Sequence, residues 1–571
     1  MSRLIPEDLP SGKELVQEGI RIGNTFEVGK SAFIEHYTKL TKKELNQMQI
    51  EKGGITWAAE LGLKTVEEQV EGIRYLWEWS RKKGVHIRGV ITISSMLNGL
   101  PPELRSKAPK PTSFVFESPE DFVKIAQAAP IPFTLGDHMI CSPNSVNNAI
   151  NALKAGCMGF GVVSQHTWNY PYWHDEVEQM IEMVKAMGII ASKGVGLGSY
   201  TGDGLPGQLL DNVSVVGYTL FEKYVTEELC GCPYSTGIGG LHSYIPAKLA
   251  TWLALTDVNC RVGHVEGNTL EVTEDIEANY ALVVSEFIPF AILERKYKTG
   301  TAYTPKPVTE AIRVPTLREI IEVFSVCSVA LRKAQEYEEA SMLNDSHINE
   351  LRSIIATNAK KFFDNMLKGL REMGIDISDP LQLLLATRRL GGRRVEELFH
   401  PGEKDPSLPR GIVPFVRTDL ASRSMKELDN ILERARAEKL GDAVKGKKII
   451  LGSTDTHEFG LFVLGGVLRA LDAKVIDKSV DLDPKQVLDA AFEEGTPYIA
   501  ISTHNGQCLD WGRHLMGMAK KRNQNVKVAM GGKLNAILEG NTEPVDVSDR
   551  LSDLGIIPCR DVLDLIGMVV S

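Results

Sequence analysis

The chain has no basic excess. Its 64 Lys and Arg stand against 74 Asp and Glu, a net charge of -10 over 571 residues. A nucleic-acid partner wants a basic face, so that class is set aside. No apolar run approaches the length of a membrane span, so no membrane partner is expected. The opening Met1-Ser2-Arg3-Leu4-Ile5-Pro6-Glu7-Asp8 lacks the apolar core of a signal peptide. Cysteine is sparse: eight residues are scattered, several inside apolar segments. That pattern suits reduced thiols in a cytoplasmic protein, not a disulfide framework. Cys230-Gly231-Cys232 is the one close pair, and no second pair accompanies it to complete a metal site. It reads as packed thiols. Long repeats and low-complexity tracts are also missing. What remains is an ordinary globular composition on a chain long enough for several domains.

The first ~330 residues alternate apolar strand-like runs with amphipathic, helix-length segments. Strands are expected over Val85 to Ile93, Ile131 to Leu135, Met158 to Ser164 and Gly188 to Ala191. Helices are expected over Val66 to Lys83, Pro119 to Ala128, Ser145 to Ala155 and Asp175 to Met187. Such βα repetition predicts a TIM-type (β/α)8 barrel over residues 1–330, with a site at the C-terminal strand ends. Residues 331–446 read as a helical and irregular connector, its Pro/Gly-rich part from Leu398 to Arg417 wrapping the barrel. A charged helix from roughly Ser424 to Leu440 leads onward. Residues 447–571 return to strand–helix alternation, with strands at Lys448 to Leu451, Val475 to Ile476, Tyr498 to Ile501 and Val526 to Ala529. That predicts a doubly wound, flavodoxin-like domain, and the whole chain is α/β.

The most informative stretch is Asp455-Thr456-His457-Glu458-Phe459-Gly460, just after the first strand of that last domain. A histidine there can leave its loop to ligate a metal, and an aspartate two residues earlier can hold the other ring nitrogen. Alone, D-x-H-x-x-G reads first as a polar loop histidine capped by Asp455. Two more features follow on later strand ends: Ser502-Thr503-His504, and Gly531-Gly532. Together the three resemble the cobalamin-binding domain of mutases and methyltransferases that hold the corrin with a protein histidine below the cobalt. The resemblance implies His457 as the cobalt ligand and Asp455 as its orienter. It implies Ser502, Gly531 and Gly532 as contacts of the displaced nucleotide tail. The cofactor-binding candidates are therefore Asp455, Thr456, His457, Gly460, Ser502, Thr503, Gly531 and Gly532. The family often has S-x-L where this chain has Ser502-Thr503-His504.

The barrel carries a second resemblance. Trp168-Asn169-Tyr170-Pro171-Tyr172 looks like the Y-N-x-P-Y segment of the large subunit of glutamate mutase. Lys306-Pro307-Val308-Thr309-Glu310-Ala311-Ile312 looks like that subunit's K-x-x-x-E-A-I stretch. Glu266-Gly267-Asn268 resembles a further region only loosely. The resemblance implies an adenosylcobalamin-dependent carbon-skeleton mutase with two family subunits fused. In it, Lys306 and Glu310 would hold the ribose of the adenosyl group. It also implies a homodimer and a small organic acid as substrate.

The substrate side departs from the family. Its three carboxylate-binding arginines fall here near Gly54 to Thr56, Ser94 to Met96 and Gly136 to His138, and none is arginine. Losing guanidinium forks removes bidentate, charge-assisted bonds to a carboxylate. The reading is therefore the same reaction type on a substrate other than glutamate, with 2-methyleneglutarate as one candidate. Arg88 is the nearest alternative arginine, or else a barrel-surface residue. Asp137, His138, Gln165, His166, Trp168 and Tyr172 are the substrate-contact candidates, and Tyr200 is a further pocket residue. A structural role is the commoner fate of histidines such as His138 and His166, and the two aromatics read equally as lid packing. A corrinoid methyltransferase or methyl carrier shares the D-x-H-x-x-G domain, and a cobalamin-binding sensor is an alternative of another class. The Lys306 and Glu310 pair favours the mutase, because a methyl carrier has no adenosyl group to hold.

Overall fold

A computed structural model describes residues 4–570, except 38–41, 52–53, 109–112, 174, 241, 311–314, 341–342, 406–407, 409, 439, 455–458, 479–481, 505, 537 and 539–544. The described residues divide into two compact units. One holds residues 4–105, 113–167 and 175–419, and the other holds 106–108, 168–173 and 420–570.

The first unit is a closed parallel barrel of eight strands in sequential order. They are β1 (Trp57–Leu61), β2 (Ile87–Thr92), β3 (Phe133–Leu135), β4 (Gly159–Phe160), β5 (Gly196–Tyr200), β6 (Tyr234–Ile238), β7 (Val262–Glu266) and β8 (Ala302–Thr304). Local signals build the helices between them. Thr65 accepts from the Glu68 N–H to start the helix Val66–Lys83, and Gly84 ends it in the left-handed region. Val70, Ile73 and Leu76 give that helix its buried stripe.

Gly188 to Ala191 is not a strand. It closes the helix Glu176–Ala191, and the fifth strand is the glycine-rich run that follows. Gly188 packs against the N-terminal helix Gly12–Gly23, where a Cβ would stand 2.3 Å from the Val16 carbonyl oxygen. Cover on that side makes the helix end apolar all round, which imitates a buried strand. The helix Ile276–Tyr297 does have the length and composition of a membrane span, contrary to the sequence reading. Phe287 and Phe290 on it pack against Trp57 and Tyr303 of the barrel, and it carries the buried Glu286 and Glu294.

Helices Leu317–Glu339, Ser346–Glu372 and Pro380–Phe399 complete this unit. The Pro/Gly-rich segment after them is tied to the barrel by Asp211. Its carboxylate bonds His400 Nε2 at 2.9 Å and accepts from the Val416 N–H at 3.1 Å.

The second unit holds a parallel sheet of five strands. They are β9 (Lys448–Ser453), β10 (Lys474–Asp477), β11 (Tyr498–Thr503), β12 (Lys527–Gly532) and β13 (Ile556–Cys559), the last not anticipated from sequence. Their order is β10-β9-β11-β12-β13, the flavodoxin-like arrangement. Successive residues feed opposite faces. Ile449, Leu451, Ala500 and Ala529 join one apolar cluster, and Ile450, Ile499, Ile501 and Val528 join the other. The helix Asp419–Ala437 leads into this sheet, burying Ile431, Leu432 and Ala435 in the first cluster.

Candidate functional site

The barrel is unusual on its inner face. Strand register puts Ala58, Glu60, Ile91, Thr134, Gly159, Gly196, Gly198, Tyr200, Ser235, Gly237, His264, Glu266, Ala302 and Thr304 on one side. Their neighbours Leu135, Phe160, Leu197, Val265 and Tyr303 face the helices and are fully buried. An ordinary barrel fills its interior with branched side chains. Here glycine, alanine, hydroxyl-bearing and ionisable residues make up most of the inward set. Glu60, Thr134, Gly196, Gly198, Tyr200, Ser235 and His264 all retain partial exposure. The barrel therefore encloses a lumen instead of a packed core.

A polar cluster lines that lumen at the C-terminal strand ends. Lys306, just beyond β8, pairs with Glu60 of β1, lies 3.1 Å from Glu266 of β7 and 3.9 Å from Glu310. The Tyr200 hydroxyl donates to Glu266 and accepts from the Gly240 N–H at 3.0 Å. His264 Nε2 lies 3.3 Å from the other Glu266 oxygen. Burial alone would lower the Lys306 pKa, but Glu266, Glu60 and Glu310 together hold it well above the usual range. Burial works to raise Glu266 as well, yet the Lys306 ammonium outweighs it and keeps that carboxyl ionised. Burial, with the neighbouring Glu266, pushes the Glu60 carboxyl well above its usual range, against the pull of Lys306. Burial likewise raises Glu310 and Asp137.

The sequence candidates separate into groups. Lys306 and Glu310 belong to the cluster. Asp137, His138 and Gln165 form a linked set after β3 and β4: Gln165 Nε2 donates to Asp137 Oδ1 at 2.7 Å, and its carbonyl accepts from the His138 N–H at 3.1 Å. His138 takes a positive φ of 65°, and burial lowers its ring pKa to about 3. His166 does not join them. Its ring bonds the Val163 carbonyl at 3.2 Å and the Thr387 hydroxyl at 3.1 Å, fully buried against the helix Pro380–Phe399. Trp168 and Tyr172 lie in the second unit, where Trp168 is buried in the apolar cluster of Leu461, Val463 and Leu565.

Arg88 neither lines the mouth nor lies on the outer surface. Its guanidinium donates to the Gly263 and Gly300 carbonyls at 2.9 Å, on the N-terminal sides of β7 and β8. Gly54 to Thr56 precede β1 and also lie at the N-terminal end, so the C-terminal position on that strand is Glu60. Glu60 and His264 were absent from the sequence candidates, and Glu266 figured only in a loosely matching segment. Nothing but strand register could have revealed that all three face Lys306.

In the second unit, the C-terminal edge of the sheet carries a row of small residues. Ser453 pairs with Ser502, Ser502 with Gly531, and Gly531 with Cys559. By alternation all four share the face of Leu451, Ala500 and Ala529. The helix Phe459–Ala470 starts close against this row: a Cβ on Gly460 would lie 2.4 Å from Ser502 Oγ. Thr503 turns to the opposite face and bonds Thr454 through their hydroxyls at 2.9 Å. Gly532 has φ +106°, and a Cβ there would stand 2.2 Å from the Thr503 carbonyl oxygen, so the chain turns in a conformation that favours glycine. Asp455, Thr456 and His457 lie outside the described residues.

Residues 451–547 match the family model described as the B12 binding domain. The C-terminal sheet is a B12-binding domain. The match supports cobalamin binding by the chain. No curated protein matches it. Among solved structures it is similar to a cobalamin-binding protein from Desulfitobacterium hafniense DCB-2, at 14% identity. That alignment covers 52% of this chain and 97% of the other, with a TM-score of 0.19.

Proposed function

We propose that this chain is an adenosylcobalamin-dependent carbon-skeleton mutase acting on a small organic acid other than glutamate. One observation carries the reading. A B12-binding domain shares its chain with an open-lumen barrel whose mouth holds Lys306 and Glu310 in one charged cluster. A ribose presents two hydroxyls, which accept from an ammonium and donate to a carboxylate. A methyl carrier has no use for such a pair.

The residues fit the cofactor's tail. Ser453, Ser502 and Gly531 put only small residues on one face of the sheet, at the strand ends where doubly wound folds bind ligands. In this reading His457 would ligate cobalt, Asp455 would orient it, and Ser502, Gly531 and Gly532 would line the tail. When bound, adenosylcobalamin supplies hydrogen abstraction from an unactivated carbon. The chain's own part is to bind and exclude. Lys306 is kept charged by Glu266 and so can hold a ribose hydroxyl throughout. Tyr200, fixed between Glu266 and the Gly240 N–H, forms a rigid wall of the lumen. Asp137 is positioned by Gln165 to meet substrate.

The test is paramagnetic resonance on the protein loaded with adenosylcobalamin, over a panel of small branched and unsaturated acids. A substrate-dependent radical signal with rearranged product supports the proposal. Methyl transfer from methylcobalamin, with no such signal across the panel, would overturn it.

A further inference from the structure

The lumen offers carboxyl groups where a dicarboxylate substrate would need cations. Glu60, Glu266 and Glu310 share one ammonium, Lys306, and Asp137 lies within the field of the same lysine. Among the described residues no second ammonium or guanidinium pairs with these four. Lys248 is paired with Glu286 at 3.3 Å, and Arg88 is committed to two carbonyls at the opposite pole.

Two further features mark a seat for a ligand. Asp137 is fixed through Oδ1 by Gln165, while its other oxygen takes no hydrogen bond among the described residues. Thr304 is in register with Glu266, so it turns toward the same lumen. It is 1% exposed, and its hydroxyl has no hydrogen-bond partner among the described residues. A buried hydroxyl left unpaired is unfavourable. Its partner is not among the described residues.

We infer, on the mutase reading above, that the substrate is a small organic acid carrying a protonated amine, seated on Asp137, and not a dicarboxylate. An ammonium has three donors and no acceptor, which complements carboxylate oxygens. A second carboxylate would face four carboxyl groups, with Lys306 the one ammonium paired among them in the described residues. Glu60, His264 and Glu266 could also gather on a metal ion, their ligand atoms lying within 4.8 Å of one another. However, the Lys306 ammonium already sits against both glutamates, so that position is an ammonium's.

The test is calorimetric titration of the full-length protein, without cobalamin, with glutarate, 5-aminopentanoate and cadaverine. We expect 5-aminopentanoate to bind at least about tenfold tighter than glutarate. Asp137→Asn should abolish that preference with an unchanged melting temperature. Should Asp137→Asn fail to fold, Thr304→Val serves instead, weakening the amine and not glutarate. Tighter binding of glutarate, an unchanged preference in the folded variant, or binding that requires added magnesium would each overturn the inference. A separate arm uses the adenosylcobalamin-loaded protein. An amine that binds but gives no radical signal overturns the mutase reading and leaves the amine seat standing. A dicarboxylate that gives the signal does the reverse.

Discussion

Gly531 and Gly532 are adjacent, yet substitution should separate cofactor affinity from domain stability. A Cβ on Gly531 would meet the Cys559 carbonyl oxygen at 3.2 Å and the Cys559 Cβ at 3.4 Å. Alanine there needs a shift of only a few tenths of an ångström. Leucine extends further over the face shared with Ser502. If it displaces about 80 Å² of tail contact, at ~25 cal/mol per Å² the loss is about 2 kcal/mol, roughly thirtyfold in affinity. Gly532→Ala acts otherwise. Its φ of +106° and the 2.2 Å approach to the Thr503 carbonyl strain the backbone at the strand end. Strain of that kind costs on the order of 1–3 kcal/mol of domain stability. Cobalamin titration followed by absorbance measures the first effect, and thermal melting by circular dichroism the second. Gly531→Leu binding cobalamin with wild-type affinity would show that the small-residue row is not the tail's seat.

Three other outcomes are expected. Lys306→Met removes the one cation among Glu60, Glu266 and Glu310. Breaking such a buried pair costs about 3–5 kcal/mol, and the loss should shrink toward pH 5 as the stranded carboxylates take up protons; denaturant unfolding at several pH values checks this. Glu222 is held at about 8 by burial, against hydrogen bonds from Ser199 and Tyr234. Because the folded pKa is raised, its contribution is complete below the unfolded value and is lost as pH climbs through about 8. Melting of Glu222→Gln relative to the parent should therefore rise between pH 5 and pH 9, whereas a constant offset would contradict the assignment. His457→Ala should weaken cobalamin binding and remove histidine-nitrogen splitting from the cobalt(II) resonance spectrum; retained splitting would identify another ligand.

Much of the barrel was legible because long amphipathic helices announce themselves through caps and periodicity, as Thr65 to Gly84 does. Failures came where periodicity is silent. Gly188 to Ala191 is apolar on every side because another helix covers it. The fifth strand hid in a glycine run whose inward positions must stay small. In the site, Lys306 and Glu310 were legible as a local spacing. Glu60 was not, because it lies 246 residues from the lysine it pairs with.

The order of residues by itself determined the two βα patterns and the small residues at the ends of β11 and β12. Those are local properties of a chain written in one direction. Only barrel closure decided that Glu60, Tyr200, Glu266 and Lys306 face one lumen, since inward or outward orientation alternates residue by residue and is fixed by register with neighbouring strands. Closure also decided the charge state of that mouth. A lysine's pKa depends on which carboxylates share its low-dielectric surroundings, and two of them, Glu60 and Glu266, arrive from other strands.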